Sequence, residues 1–207
     1  MPPTAQPVTL RIELLDVAPL VWRRVLVSNQ WTLASLHNYL QWVMGWMDTH
    51  AHEFQVGAGV VAPDWWIHEV GLDSDTSNYR DERRVSVAAI ATELGIGGEI
   101  EYRYDMGDGW QHRIVIEPPP PLWATSGLPL PACVAGENAC PPDDVGGPHG
   151  YALFLEIIGG TMNSMRTCSA GLAGIRSEGV RPEPTQPRME RREKAEAITS
   201  AVDWAAA

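Results

Sequence analysis

The sequence predicts an α+β fold: a single domain over residues 8–158, in which a mixed or antiparallel sheet of about five strands carries helices on one face. Three observations support this prediction. Apolar residues alternate along residues 8–15, 100–104 and 110–116, which is the period of a half-buried strand. The apolar residues that follow Thr32 have the 3-4-3 spacing of an amphipathic helix. No internal repeat divides the chain, so one mixed domain is favoured.

The first elements have the order strand, strand, helix, strand. Residues 8–15 and 21–27 are predicted to pair as an opening hairpin. Thr32 is suited to cap the first helix, and Gly45 is suited to end it. Residues 50–56 (HAHEFQV) are predicted as the next strand. This order resembles a β-grasp-like opening, an analogy at the level of the fold alone.

The later elements follow from turn and cap signals. Residues 65–70 are predicted as a short strand, and the polar residues 71–84 as a loop. Ser86 is expected to cap a short helix over residues 87–94. A hairpin is predicted to turn across residues 105–109 (DMGDG), where two glycines allow positive φ angles. A last helix has i, i+3, i+4, i+7 spacing at Tyr151, Phe154, Leu155 and Ile158.

The C-terminal part differs in composition. Residues 159–187 contain few large apolar residues and many Gly, Ser, Thr, Arg and Pro. Such a segment buries too little apolar surface to offset the entropy of ordering it. We therefore predict a divergent, flexible tail over residues 159–207, with one short helix over residues 193–204.

Charge and composition limit the classes of function. The formal charge of −11 opposes the phosphate backbone, so nucleic acid is an unlikely partner on electrostatic grounds. No run approaches the roughly 20 apolar residues that cross a bilayer, and no secretory signal is visible. Three cysteines, an odd number, do not form a disulfide framework and are expected as free thiols. A cytoplasmic protein without a membrane partner is the expectation.

Two segments carry a family resemblance. They are residues 102–112 (YRYDMGDGWQH) and residues 131–151 (PACVAGENACPPDDVGGPHGY), which we call the first and second signature segments. Together with the Pro-x-x-Trp-Arg-Arg element at residues 19–24 and the His-x-His-x-Phe element at residues 50–54, they resemble the plasmid Orf-three-like family, whose members are also described as transposon passenger proteins of the TnpR type. The resemblance implies a link to plasmid or transposon cargo. Val145 stands where family members commonly have a cysteine.

Histidine and aspartate residues in these segments form a candidate site. His50 and His52 are two apart on one predicted strand, and His112 lies on the apolar face of another, so the three imidazoles are a candidate divalent-metal site. The wider candidate pocket consists of His50, His52, Asp105, Asp108, Trp110, His112, Asp143 and Asp144. The alternative is that the histidines are buried and hydrogen-bonded while the aspartates cap turns. No contiguous motif such as His-Glu-x-x-His decides between them.

Two functions remain open from the sequence. The first is a cytoplasmic binding or accessory protein linked to plasmid or transposon cargo, with an unknown protein or small-molecule partner. The second is a metal-dependent, hydrolase-like enzyme that uses the His/Asp cluster. The first is preferred because no complete catalytic apparatus can be named. We also predict that the two signature segments lie against each other at one cleft with His50 and His52.

Overall fold

The computed structural model describes residues 5–119, 121 and 128–158. Within these residues the chain forms eight strands and four helices in an α+β arrangement. The strands are β1 (Pro7–Leu14), β2 (Val21–Ser28), β3 (His52–Val56), β4 (Gly59–Ala62), β5 (Tyr79–Asp81), β6 (Glu99–Tyr104), β7 (Trp110–Glu117) and β8 (Ala132–Glu137). The helices are α1 (Leu33–Met44), α2 (Asp64–Val70), α3 (Val87–Leu94) and α4 (Gly147–Ile157).

All eight strands belong to one open sheet with the order β5-β4-β3-β6-β7-β1-β2-β8. Neighbouring strands are antiparallel except β4 and β5, which are parallel, so the sheet is mixed. The prediction of about five strands is wrong in this detail. The order β1-β2-α1-β3 matches the predicted opening, but β3 pairs with β4 and β6 and not with the first hairpin.

Local chemistry explains the elements that were predicted. The Thr32 hydroxyl accepts a hydrogen bond from the Ser35 amide at the start of α1, and Gly45 ends that helix in the left-handed conformation with φ of 79°. Ser86 caps α3 in the same way through the Ala89 amide. The β6–β7 hairpin turns across the predicted loop.

Four short elements differ from expectation. The segment predicted as a strand at residues 65–70 is helical, because Pro63 fixes an extended residue just before α2 and the amides of Trp66 and Ile67 bond to its carbonyl. The predicted loop at residues 71–84 contains the three-residue strand β5. Strands β4 and β8 were not predicted, since β4 has four residues and β8 is an edge strand rich in small side chains.

The core lies on one face of the sheet. Alternate residues of β1, β6 and β7 are buried, and they pack with apolar side chains of α1, α3 and α4. The other face carries charged side chains, including an ion pair of Arg113 with Glu13 across β1 and β7 and one of Arg103 with Glu53 across β6 and β3. The sheet is therefore covered on one face and polar on the other, as an antiparallel sheet with one solvated face requires.

The predicted tail at residues 159–207, with its short helix, lies outside the described residues. Among the residues that the structure does describe, no helix is both long and apolar enough to cross a membrane.

Candidate functional site

The two signature segments meet at the tip of the β6–β7 hairpin. The Gly146 amide donates a hydrogen bond to Asp108 Oδ2 at 3.0 Å. Gly147 approaches so closely that a Cβ atom built on it would lie 2.3 Å from the Asp108 carbonyl oxygen. Nearby, the Trp46 indole donates to the Pro141 carbonyl at 2.9 Å. The predicted contact between the two segments is confirmed, and it needs a glycine at position 147. The prediction that His52 shares their cleft is wrong, because His52 belongs to a different cluster.

His50 lies between the two segments, just before β3. Its Nε2 atom is 3.0 Å from Asp144 Oδ1 and 3.5 Å from Asp105 Oδ2. Both carboxylates are within ion-pair distance of this buried nitrogen, which has no hydrogen-bond partner among the described residues. One ligand atom from each of the three residues lies within 4.8 Å of the other two. We call these three residues, with Asp143, the signature site.

Backbone amides hold the carboxylates of the signature site in place. Asp105 Oδ1 accepts from the Gly107 and Asp108 amides, and Asp143 Oδ2 accepts from the Met47 amide. The other Asp143 oxygen is buried and has no hydrogen-bond partner in the part of the chain that the structure describes. Burial raises the pKa of Asp143, and the neighbouring carboxylates of Asp144 and Asp105 raise it further. The site therefore concentrates negative charge in a partly buried place.

Strained backbone also marks this region. Asp105 and Asp144 have φ of 54° and 57°, in the left-handed region that few residues other than glycine adopt. Aspartate is among the residues that tolerate this conformation, and such strain is often concentrated at functional sites. The two carboxylates are thus held by both side-chain and backbone constraints.

The structure does not bring the predicted histidine trio together. His52 Nε2 contacts Glu82 Oε2 at 2.8 Å, away from His50, because β3 begins only at His52 and the strand alternation does not extend back to His50. His112 is fully buried, and its Nδ1 donates to the Tyr102 carbonyl at 3.2 Å. Burial lowers the pKa of His112 to about 4. A joint metal site of His50, His52 and His112 has no support in this geometry.

Trp110 and His112 are core residues and contribute no ligand atom to the signature site. Both are completely buried, and each packs against the Trp46 ring, with centroids 5.7 and 5.3 Å away. The Trp110 indole nitrogen and His112 Nε2 have no hydrogen-bond partner within the described part of the chain. Of the predicted pocket, then, His50, Asp105, Asp143 and Asp144 form the site, while Asp108 fastens it to α4.

A second cluster escaped the sequence-based prediction. His37 of α1 stacks on His52 with ring centroids 3.4 Å apart and an interplanar angle of 5°. His37 Nε2 contacts Asp48 Oδ1 at 2.7 Å, and one ligand atom from each of His37, Asp48 and His52 lies within 4.8 Å of the others. A signal was present in the sequence, because His37 occupies a buried position among the apolar residues of α1. We call His37, Asp48, His52 and Glu82 the core cluster.

The cysteines show a mixed outcome. Cys140 forms no disulfide among the described residues, and its sulfur accepts a hydrogen bond from the buried Arg23 guanidinium at 3.1 Å. Cys133 is disulfide-bonded, so the expectation of a free thiol is wrong for that residue. Neither belongs to the two clusters of candidate metal ligands found among the described residues.

Three comparisons with known proteins each find a protein family, a relative or a solved structure that is similar to this chain. The family model described as "Plasmid pRiA4b ORF-3-like protein" matches residues 6–167. The uncharacterized protein y4hQ of Sinorhizobium fredii is 38% identical over 157 residues, which are 74% of each chain. The crystal structure of the protein of unknown function MM3350 from Methanosarcina mazei Go1 is similar with a TM-score of 0.61 and 27% identity, covering 75% of this chain and 83% of that one.

Proposed function

This chain belongs to the plasmid pRiA4b ORF-3-like family, and we propose that it is a binding or accessory protein whose signature site holds a divalent cation. The observation that carries the proposal is the convergence of His50, Asp105 and Asp144 from three separate segments. The name of the family supports the proposed link to plasmid cargo, and the link to transposon cargo stays a proposal that rests on the resemblance alone. Its further partner is proposed to be a protein or a small molecule, since the charge of −11 disfavours nucleic acid.

The ligand set indicates the type of cation. Two carboxylates and one imidazole, with the Asp143 carboxylate near them, suit Mn²⁺, Mg²⁺ or Ca²⁺, which prefer oxygen ligands, more than a thiolate-seeking ion. Burial and the neighbouring carboxylates of Asp144 and Asp105 raise the pKa of Asp143, and a bound cation would offset both effects by favouring its charged form. The side chains of Asp144 and His50 are 33% and 22% exposed, so an ion can reach the site from solvent.

The alternative is a metal-dependent hydrolase-like enzyme at the same site. It is favoured by the same exposure, because an open coordination position lets a bound water act as a nucleophile. Cation binding is common to both functions, and only the enzyme requires turnover. Hydrolysis of phosphate- and carboxyl-ester substrates by the Mn²⁺-loaded chain, lost in the variant below, would favour the enzyme.

The test is a titration of the full chain with Mn²⁺. Binding is measured as the decrease in the electron paramagnetic resonance signal of the free ion. Asp144→Asn removes one ligand charge and keeps a residue that tolerates positive φ. Asp16→Asn is the matched control, since Asp16 is an exposed aspartate with φ of 59° that belongs to neither cluster. We expect about one ion per chain in the wild type and the control, and at least about tenfold weaker binding in Asp144→Asn, equivalent to about 1.4 kcal/mol.

Two results would contradict the proposal. One is a wild-type chain that binds neither Mn²⁺ nor Ca²⁺ at millimolar concentration. The other is an Asp144→Asn variant that binds Mn²⁺ as tightly as Asp16→Asn does.

A further inference from the structure

Arg23 is a buried arginine that has no acidic partner among the described residues. It is 3% exposed, and its side chain extends from β2 across Gly136 of β8, where an added Cβ would lie 2.8 Å from Arg23 Cδ. One terminal nitrogen, Nη1, donates to the carbonyl oxygens of Trp22 and Glu137 at 2.8 and 3.0 Å. No carboxylate in the described part of the chain lies within ion-pair distance of it. A guanidinium keeps its charge in proteins, and a buried charge is costly unless an opposite charge offsets it.

The other terminal nitrogen of Arg23 contacts the sulfur of Cys140. Arg23 Nη2 donates to Cys140 Sγ at 3.1 Å, and Cys140 is half-buried in the second signature segment, shortly after β8. Sulfur is larger than oxygen, so 3.1 Å is a close contact, and charge-assisted hydrogen bonds are the short ones. A thiolate at Cys140 would supply the negative charge that the buried guanidinium needs.

The groups around the sulfur act in opposite directions. From α1, the Val43 carbonyl oxygen lies 4.0 Å and the Met44 thioether sulfur 3.3 Å from Cys140 Sγ. The carbonyl end of a helix carries about half a negative charge, which disfavours a thiolate. The guanidinium carries a full positive charge at a shorter distance, so it outweighs the helix end. From α4, burial raises the pKa of Tyr151, the Cys140 sulfur raises it further and Arg23 lowers it.

The competing interpretation is a neutral thiol at Cys140. Its S–H group would donate to the Met44 thioether or to the Val43 carbonyl. A thioether is a weak acceptor, and 4.0 Å is a long distance for the bond to the carbonyl. The acidic side chains nearest in sequence, Glu137 and Asp143, accept hydrogen bonds from other donors and do not pair with the guanidinium. A neutral thiol would therefore leave the buried cation without an anion among the described residues.

From this arrangement we propose that Cys140 is a thiolate ion-paired with Arg23 and is a site of reversible oxidation by peroxides. The sulfur attacks one oxygen of hydrogen peroxide, so an S–O bond forms while the O–O bond breaks. Sulfur gives up two electrons, and the second oxygen leaves as hydroxide, which takes a proton from solvent. An added thiol then condenses with the sulfenic acid to a disulfide and water, and a second thiol releases Cys140. The proposal does not rest on the cation site, which uses other side chains.

The first test is the pH dependence of Cys140 alkylation by iodoacetamide in the full chain. The rate is followed by mass spectrometry of the peptide that contains Cys140 and is divided by its plateau at high pH, which removes differences in accessibility. An ordinary thiol with a pKa near 8.5 reaches only about 3% of its plateau at pH 7. For the wild type we expect at least about half of the plateau at pH 7, more than about tenfold above an ordinary thiol.

Neighbouring arginines of β2 provide the variants. Arg23→Gln removes the charge and keeps a hydrogen-bond donor, so the fraction of the plateau reached at pH 7 should fall at least about tenfold. Arg23→Lys keeps the charge and should retain most of the wild-type value. Arg24→Gln is the matched control, because Arg24 is the next residue of the same strand and pairs with Glu117 instead. Each variant is checked for a native melt by circular dichroism.

Peroxide reactivity is measured with dimedone, which labels sulfenic acids. After a brief exposure to hydrogen peroxide at pH 7, the wild type and Arg24→Gln should carry dimedone on Cys140, and Arg23→Gln at least about tenfold less. A difference in ultraviolet thiolate absorbance between the wild type and Cys140→Ser follows the ionisation without any change at Arg23.

Three results would overturn the proposal. The first is a wild-type chain that shows no thiolate absorbance from Cys140 at pH 7 and only about 3% of its plateau alkylation rate there. The second is a folded Arg23→Gln variant that keeps the wild-type pH profile. The third is a peroxide-treated wild type without dimedone on Cys140.

Discussion

The contact between Gly147 and Asp108 gives a quantitative prediction about the signature site. Gly147 has φ of 68°, and an added Cβ would lie 2.3 Å from the Asp108 carbonyl oxygen, more than 1 Å closer than ordinary contact. Alanine in the left-handed conformation costs about 1–2 kcal/mol. Forcing a methyl group into a packed place costs about 1–3 kcal/mol more. We therefore expect Gly147→Ala to lower the free energy of unfolding by about 2–5 kcal/mol.

A matched control separates the cost of the left-handed conformation from the cost of the steric clash. Gly57→Ala has a similar φ of 56° but meets no atom within 4 Å, so it should cost only the conformational term, about 1–2 kcal/mol. Urea unfolding of both variants and the wild type, followed by tryptophan fluorescence, measures the difference. If Gly147→Ala is no less stable than Gly57→Ala, the close approach of the two signature segments is refuted. Mn²⁺ affinity should also fall in Gly147→Ala alone, because the clash separates the carboxylates.

Three further predictions concern single side chains. Burial lowers the pKa of His112 from 6.5 to about 4, so the unfolded chain takes up a proton before the folded chain does as the pH falls. The free energy of unfolding should therefore decrease by about 3 kcal/mol between about pH 6.5 and pH 4. Urea unfolding at these two pH values should show a smaller decrease for His112→Gln than for the wild type. Ser86→Ala should cost about 1 kcal/mol in the same assay, since the Ala89 amide loses its cap, and Ser86→Asn should restore most of it. Tyr151→Phe removes a buried hydroxyl that donates to the Ala139 carbonyl and should lower the thermal midpoint by an amount equivalent to about 1 kcal/mol.

The parts of the fold that were predictable from sequence are those set by local chemistry. The caps at Thr32 and Ser86 and the hairpin across Asp105–Gly109 depend on residues within a few positions of one another, so composition and spacing were enough. Strand β8 was missed because its pairing with β2 spans more than 100 positions and its small side chains give no alternation. Helix α2 was missed because tryptophan and isoleucine favour strands, while Pro63 decides the local geometry.

The candidate sites also have features that the sequence predicted and features that it did not. The meeting of the two signature segments was predicted, because turn-forming aspartates and glycines at strand and helix ends tend to line a shared pocket. The pairing of His52 with His37 was not, since it requires α1 to cross β3 and no spacing in either segment specifies that contact. Alternation assigned His50 and His52 to one face, but the strand begins between them, so they serve different clusters.

The segment from Asp48 to His52 links the two clusters physically. Asp48 and His52 face the core cluster, and His50, which lies between them in sequence, faces the signature site. The Thr49 amide donates to the Tyr104 hydroxyl, so the middle of the segment is fixed on β6. Under the proposed function, a cation bound by His50 would therefore contact a segment whose two ends, Asp48 and His52, belong to the core cluster.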